Sequence, residues 1–199
     1  MIEVEKKFLL DEGDKARLVM GADFLGRKVI TDLIYDAPDY HVTCSDMILR
    51  SRDGNFELKV PVHEDHNAQT RLVDQYRELE TDDEIRQYLK IPGQGTLAHD
   101  LMCCGYAPFV TLVTVREKYH YSEFQIDIDE VDFGFNVVEI EMMVAETSEV
   151  RDALQKIVAF ASSRGLSRTP HGGKIMEYIR RHRPDHYAAL VRAGIAGSG

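Results

Sequence analysis

Apolar and polar residues alternate with a period of two through much of this 199-residue chain. Successive side chains of a strand point to opposite faces, so the alternation predicts strands over 2–10, 28–36, 46–60, 73–80, 108–117, 118–130 and 134–145. Asp53-Gly54 predicts a tight hairpin turn inside the third of these, and Asp132-Phe133-Gly134 a turn before the last. A spacing of three and four residues takes over at 12–22, 81–91, 96–104, 148–164 and 173–192, which read as helices. Thr147 or Ser148 is placed to cap the fourth, and Pro184 divides the fifth, because proline breaks a helix interior. The polar stretch 61–72 reads as a long hairpin loop, and 194–199 as a flexible tail after a single domain spanning 1–193. About eight strands with antiparallel connections and helices between them make an α+β fold, either a closed barrel or a sandwich with helices outside.

The same alternation sorts the charges. Glu3, Glu5 and Lys7 share one face of the first strand, with Ile2, Val4 and Phe8 mostly on the other. Asp127 and Asp129 alternate with Ile126 and Ile128, and Glu139 and Glu141 with Val138, Ile140 and Met142. Arg50 and Arg52 share a face, as do Arg116 and Lys118, and Lys59 lies beyond the turn. Such faces arise simply as the wet side of an antiparallel sheet. Turned inward, they would do chemistry: gathered carboxylates call for divalent cations, and gathered guanidinium groups for phosphate oxygens. Periodicity alone does not say which side is covered.

Composition narrows the choice. A net charge of −10 argues against general nucleic-acid binding, which wants a basic face. No run of about twenty apolar residues is present to span a bilayer, and the start, MIEVEKKF, lacks a signal-peptide pattern. Three cysteines without a Cys-x-x-Cys spacing suggest no zinc or redox site, and a cytoplasmic monomer is expected.

The order of motifs is more specific than any one of them. Glu3-x-Glu5-x-Lys7, Tyr35-Asp-x-Pro38, Leu49-Arg50-x-Arg52, Glu57-Leu58-Lys59, Tyr76-Arg77-Glu78, Arg116, Asp127-Ile-Asp129, Asp132-Phe133-Gly134, Glu139-Ile-Glu141, Lys174 and Arg183-Pro184-x-x-Tyr187 follow one another along residues 2–191. In that order they resemble the CYTH superfamily, the triphosphate tunnel metalloenzymes, and within it the animal thiamine-triphosphatase branch. The resemblance implies a closed eight-stranded antiparallel β-barrel forming a tunnel, with helices packed outside and a C-terminal helical segment. It implies Glu3, Glu5, Asp127, Asp129, Glu139 and Glu141 as ligands of Mg²⁺, with Mn²⁺ an alternative. Lys7, Arg50, Arg52, Lys59, Arg116 and Lys174 become the cradle for the phosphates, with Glu78 facing the tunnel, and Glu5, Asp129 and Lys174 are expected in catalysis. The reaction implied is removal of the terminal phosphate from a small-molecule triphosphate, thiamine triphosphate first.

One departure qualifies that substrate. The branch carries a tryptophan before Leu-Arg-x-Arg and a tyrosine before Tyr-Asp-x-Pro, where this chain has Ile48 and Ile34. Aromatic rings there would stack on thiamine, so inorganic tripolyphosphate is the alternative substrate. An adenylyl cyclase on the same tunnel and a non-catalytic polyphosphate-binding module are the other classes weighed. Cyclic AMP formed from ATP would mark the first, and binding without turnover the second. The pairs His63/His66 and His182/His186 read as solvent-exposed histidines lacking a third ligand, and Met142 and Met143 as packing residues.

Overall fold

The computed structural model describes residues 2–11, 13–62, 76–93 and 95–197, and these contain eight strands and seven helices. The strands are β1 (Ile2–Leu9), β2 (Asp23–Asp36), β3 (Ile48–Arg52), β4 (Asn55–Pro61), β5 (Tyr76–Leu79), β6 (Ala107–Tyr121), β7 (Phe124–Val131) and β8 (Phe135–Val144). The helices are α1 (Asp14–Leu18), α2 (His41–Cys44), α3 (Asp82–Leu89), α4 (Leu97–Cys103), α5 (Val150–Ser163), α6 (Lys174–His182) and α7 (Pro184–Arg192). No described helix is long and apolar enough to cross a membrane. The strand order is β1-β8-β7-β6-β2-β3-β4-β5, antiparallel wherever the register is defined. Eight antiparallel strands with helices around them agree with the expectation. The order has β1 and β5 as its two ends.

The described residues fall into two compact units. One takes residues 2–29 and 114–177, the other 30–62, 76–113 and 178–197. In the first, α5 lays Ala153, Ile157, Phe160 and Ala161 against Val4, Phe8, Ile126, Ile128, Val138, Ile140 and Met142. Each large apolar side chain removed from water contributes about 1.5–3 kcal/mol, so this face of β1, β7 and β8 is fixed as the helix-covered one. Glu3, Glu5, Lys7, Asp127, Asp129, Glu139 and Glu141 lie on the other face, while Lys6 and Glu130 share the parity of the apolar one. Met143 departs from the packing expected of it, because it falls opposite Glu3 on that face and is 52% exposed.

In the second unit Val42, Leu49, Leu58, Val60, Leu79, Ile85, Leu97, Leu101 and Tyr106 form the core. The β3–β4 turn is the expected one: Asp53 (φ 49°) and Gly54 (φ 91°) are both left-handed, as this two-residue turn demands. Helix α3 is capped by Thr81, whose Oγ1 accepts from Glu84 N at 3.3 Å while the Glu84 carboxylate accepts from Thr81 N at 3.3 Å. Thr81→Ala is expected to cost about 1 kcal/mol, read as a lower urea midpoint at unchanged slope.

Several expected boundaries move. A single strand, β6, runs through the expected break at 117/118, and the turn sits at Ser122-Glu123 instead, with Ser122 left-handed (φ 53°). Strand β2 begins at Asp23 rather than 28, and the helix expected over 12–22 is the five-residue α1. Glu149, not Thr147 or Ser148, takes the N-cap position of α5 but makes no side-chain bond into that helix; its carboxylate instead accepts from Ala145 N (3.0 Å) and Glu146 N (2.9 Å), bracing the short turn that precedes it. Pro184 divides the last helix as expected and opens α7 at its first turn. Ile195 and Ala196 in the expected tail are buried, and the Tyr187 hydroxyl donates to Gly197 O at 3.0 Å. The loop 61–72 is described only through Val62, and His63 and His66 lie outside the described residues.

Candidate active site

Register stacks the charges of the first unit into rows. Lys7 pairs with Glu139, Glu139 with Asp127, and Asp127 with Lys118, a row of two acids between two lysines across β1, β8, β7 and β6. The adjacent row is Glu5, Glu141, Gln125 and His120, and on the other side Asp129 pairs with Arg116. Opposed residues of antiparallel strands share a face at close range, so these groups meet.

Arg116 is the hub. Its guanidinium donates Nε to Asp129 Oδ1 (2.5 Å) and Nη2 to Asp129 Oδ2 (2.6 Å), a two-point grip on one carboxylate. Nη1 reaches Asp127 Oδ2 at 2.7 Å, and Nη2 also reaches Glu139 Oε2 at 2.6 Å. Asp127 and Asp129 are 1% and 0% exposed, so the wet-face reading fails for β7. A buried unpaired carboxylate costs several kcal/mol, and Arg116 offsets that for three at once. Burial works against its charge, yet Asp129, Glu139 and Asp127 hold it above the ordinary arginine range.

Lys118 stands 3.3 Å from Asp127 Oδ2, and Lys7 contacts Glu5 and lies 3.7 Å from Glu139 Oε1. Lys174, first residue of α6, donates to Thr114 Oγ1 at 3.1 Å and to Asp129 Oδ2 at 3.4 Å. Just before it, Gly173 lies so close to β1 that an added Cβ would touch Lys7 Cε at 3.6 Å. The expected Lys7, Arg116 and Lys174 are therefore in one cluster with the acids.

Two acid groups stand out: Glu3, Glu5 and Glu141, and Asp127, Glu139 and Glu141, each with ligand atoms within 4.8 Å of one another. Glu141 belongs to both. Asp129, also expected as a ligand, belongs to neither and is committed to Arg116 and Lys174. Burial raises the Glu141 carboxyl to about 8, helped by the charges of Glu3, Asp127, Glu139 and Glu5. Burial likewise raises Asp127, against the pull of Arg116 and Lys118. Glu139 goes the other way: burial opposes its ionisation, but Lys7, Arg116 and Lys174 hold it below the usual carboxylate range.

The donor set fits a divalent cation on two counts. With all of them ionised, six carboxylates on this face (Glu3, Glu5, Asp127, Asp129, Glu139, Glu141) against four cations (Lys7, Arg116, Lys118, Lys174) leave two negative charges over, and one remains even with Glu141 protonated. Asp127 Oδ1, within the second acid group, is buried without a hydrogen-bond partner, which is costly for a carboxylate oxygen. All-oxygen carboxylate ligands suit Mg²⁺, Ca²⁺ or Mn²⁺ rather than zinc.

The second unit carries its own charged face. Arg52 pairs with buried Asp32 (Nε–Oδ1 2.8 Å, Nη2–Oδ2 3.1 Å), Arg50 with Glu57 (2.5 Å), and Lys59 with Glu78 (2.5 Å). Burial works against the Glu78 charge, but Lys59, Arg50 and Arg52 lower its pKa. Arg50 Nε is buried without an acceptor, the kind of donor an anionic oxygen satisfies. Ile34 lies opposite Arg50, and Ile48 opposite Lys59, so both isoleucines are on this cationic face. Sequence reasoning missed Asp32 and Gln125 here. Each sits two residues from a charged-face position, Ile34 or Asp127, and the alternation alone would have placed it.

His182 and His186 are not a metal pair. His186 is 1% exposed, stacked on Tyr40 (4.0 Å between ring centroids) and hydrogen-bonded to Thr43 Oγ1 at 2.7 Å. It docks α7 against α2, and its burial, not exposure, corrects the sequence reading. Cys44, Cys103 and Cys104 are free.

The CYTH domain model matches residues 1–171. Human thiamine-triphosphatase is 31% identical, the match covering 96% of this chain and 90% of the relative, and the Macaca fascicularis thiamine-triphosphatase is 30% identical with the same coverage. Among solved structures, a Pyrococcus horikoshii protein superposes with a TM-score of 0.67 at 20% identity, covering 90% of this chain and 99% of that one. A candidate adenylyl cyclase of Hippeastrum, described as having a dominant triphosphatase activity, superposes with a TM-score of 0.57 at 16% identity, covering 90% and 95%. At those identities the structural likeness concerns the fold.

Proposed function

The chain belongs to the CYTH domain family, and from that premise we propose that it removes the terminal phosphate of a small triphosphate, thiamine triphosphate first, with a divalent cation. The observation that carries this reading is the acid group Asp127, Glu139 and Glu141, with its unsatisfied Asp127 Oδ1 set among Arg116, Lys7 and Lys118. Asp127, Glu139 and Glu141, joined by Glu3 and Glu5, would hold Mg²⁺ or Mn²⁺. When bound, such a cation neutralises phosphate charge and lowers the pKa of a ligated water.

The remaining work is done by the chain's own groups. Arg116 holds Asp127, Asp129 and Glu139 at fixed positions, so the acids need no rearrangement as substrate arrives. Lys7 and Lys174 stabilise charge spreading over the phosphoryl oxygens, which is most of what catalysis of phosphoryl transfer requires. Asp129, expected as a metal ligand and in catalysis, acts instead through Arg116 and Lys174, to which its oxygens are bound. We further propose that residues 1–193 work as one tunnel domain of the closed-barrel kind, with Arg50, Arg52 and Lys59 serving the phosphates. The products are a diphosphate compound and orthophosphate.

Tripolyphosphate is the second reading, favoured by Ile34 and Ile48 on the cationic face, which offer no ring for thiamine to stack on. Phosphate release from thiamine triphosphate, tripolyphosphate and ATP under Mg²⁺ and Mn²⁺ ranks the substrates. Release from none of the three removes the hydrolase reading, and cyclic AMP from ATP replaces it with the cyclase.

The raised Glu141 carboxyl makes metal binding pH-dependent. With its pKa near 8 it carries a proton at pH 7, and a ligating carboxylate must lose it. Cation affinity is therefore expected to rise with pH up to about 8, with release of about one proton per Mn²⁺ bound at pH 7. Calorimetry in buffers of different ionisation enthalpy reads that number directly, and zero release contradicts the assignment.

A further inference from the structure

Glu141 is the one carboxylate common to both acid groups, and one of its oxygens is already spoken for. Gln125, next to it in register on β7, donates Nε2 to Glu141 Oε2 at 2.8 Å. Its neighbour two residues on, Asp127, lies on the same face of the same strand and ends in the unsatisfied Oδ1. We propose that Gln125 is a positioning residue for divalent-cation binding: its amide fixes the Glu141 carboxylate so that the other oxygen, Oε1, is presented to both acid groups at once. The inference rests on the metal-dependent reading above and adds a residue to it.

The chemistry of that position supports a neutral donor. A sixth ligand-side carboxylate at 125 would add to the repulsion already facing Glu141 from Glu3, Asp127, Glu139 and Glu5. A cation at 125 would pair with Glu141 and compete with the metal for it. An apolar residue would leave the carboxylate free to turn about its last bonds. A primary amide avoids all three, since it donates a hydrogen bond without changing the charge. Hydrogen-bond partners of metal ligands usually set affinity by about 10–100-fold through such orientation.

The test uses the full chain stripped of metal, with Mn²⁺ as the probe. Gln125→Leu keeps the bulk and removes the donor, and Gln125→Asn keeps the amide but withdraws it by one methylene. Both are expected to bind Mn²⁺ about 10-fold or more weakly than wild type by calorimetry, with metal-free melting midpoints close to wild type. Hydrolysis should fall at low Mn²⁺ and return toward the wild-type rate as Mn²⁺ is raised, a recovery that a merely structural defect does not show. Mn²⁺ affinities of both variants within two-fold of wild type would overturn the role of Gln125 while leaving the metal reading intact. Should Gln125→Leu fail to fold, Gln125→Asn alone carries the comparison. A wild-type protein that binds no Mn²⁺ would instead sink the underlying reading.

Discussion

Replacing Glu141 by Gln is expected to remove most of the activity while making the metal-free protein harder to melt at pH 8. The two effects have opposite signs because the same charge does two things. As a member of both acid groups, Glu141 supplies an anionic oxygen wherever a cation is held, and loss of that charge is expected to lower kcat/KM by about 1000-fold. In the metal-free fold the charge is a burden, since burial and four neighbouring carboxylates lift its pKa from the ordinary 4.5 to about 8. A carboxyl raised on folding makes the native state hold a proton that the unfolded chain releases. Stability from this group is thus present below about pH 4.5 and lost as pH rises to about 8. Gln has no proton to lose, so the variant keeps its midpoint across that interval where wild type declines. Melting curves at pH 5 and pH 8 without metal, beside phosphate-release rates with it, check both halves. A variant that is both inactive and less stable at pH 8 would mean that Glu141 is a structural acid.

Arg116→Met should have the largest effect on stability. The change deletes four hydrogen bonds of 2.5–2.7 Å and leaves Asp127, Asp129 and Glu139 without their shared cation. Breaking a buried ion pair by removing one partner costs about 3–5 kcal/mol, which for a chain of this size lowers the melting midpoint by about 10 °C. Lys174, beside Asp129, and Lys118, beside Asp127, soften the loss. Arg116→Lys should recover little, because one ammonium cannot grip both oxygens of Asp129 while touching Asp127 and Glu139. The distinguishing expectation is the response to Mn²⁺. An added divalent cation should raise the midpoint of Arg116→Met by more than it raises wild type, since the variant has more uncompensated negative charge. An equal shift in both would show that the acids near Arg116 are not where the cation binds.

The sheet was largely legible in the chain, and its reasons show where legibility stops. Strand β1 could be read outright, because Ile2, Val4 and Phe8 alternate with Glu3, Glu5 and Lys7, broken only at Lys6. Which face was covered could not be read, since alternation says who shares a face and not what packs on it. That was decided at a distance by α5, whose Ile157 and Phe160 take the apolar face. The break expected at 117/118 failed for a local reason: Arg116-Glu117-Lys118 looks like a polar interruption. In the fold Glu117 sits on the opposite face from its neighbours, held by Lys15 (2.9 Å) and the Tyr119 hydroxyl (2.6 Å), so the strand continues. The true turn at Ser122 carries no glycine to announce it.

The site divides the same way. The charged members Glu3, Glu5, Lys7, Arg116, Asp127, Glu139, Glu141 and Lys174 were visible by motif, and the fold gathers them in one unit. Arg50, Arg52, Lys59 and Glu78 were visible too and form their own paired face. The geometry of Asp129 was not visible, because nothing in Asp-Ile-Asp tells which aspartate an arginine will grip. Gln125 escaped because a neutral amide does not stand out among charges, although its parity with Asp127 placed it on the same face.

The central claim is that Asp127, Glu139 and Glu141 hold a divalent cation. Anomalous diffraction from crystals grown with Mn²⁺ tests it most directly, since manganese identifies itself independently of water. A peak bonded to Asp127 Oδ1 and to the Glu139 and Glu141 carboxylates is the predicted result. Manganese found only elsewhere on the protein, with Asp127 Oδ1 still lacking a partner, would contradict it.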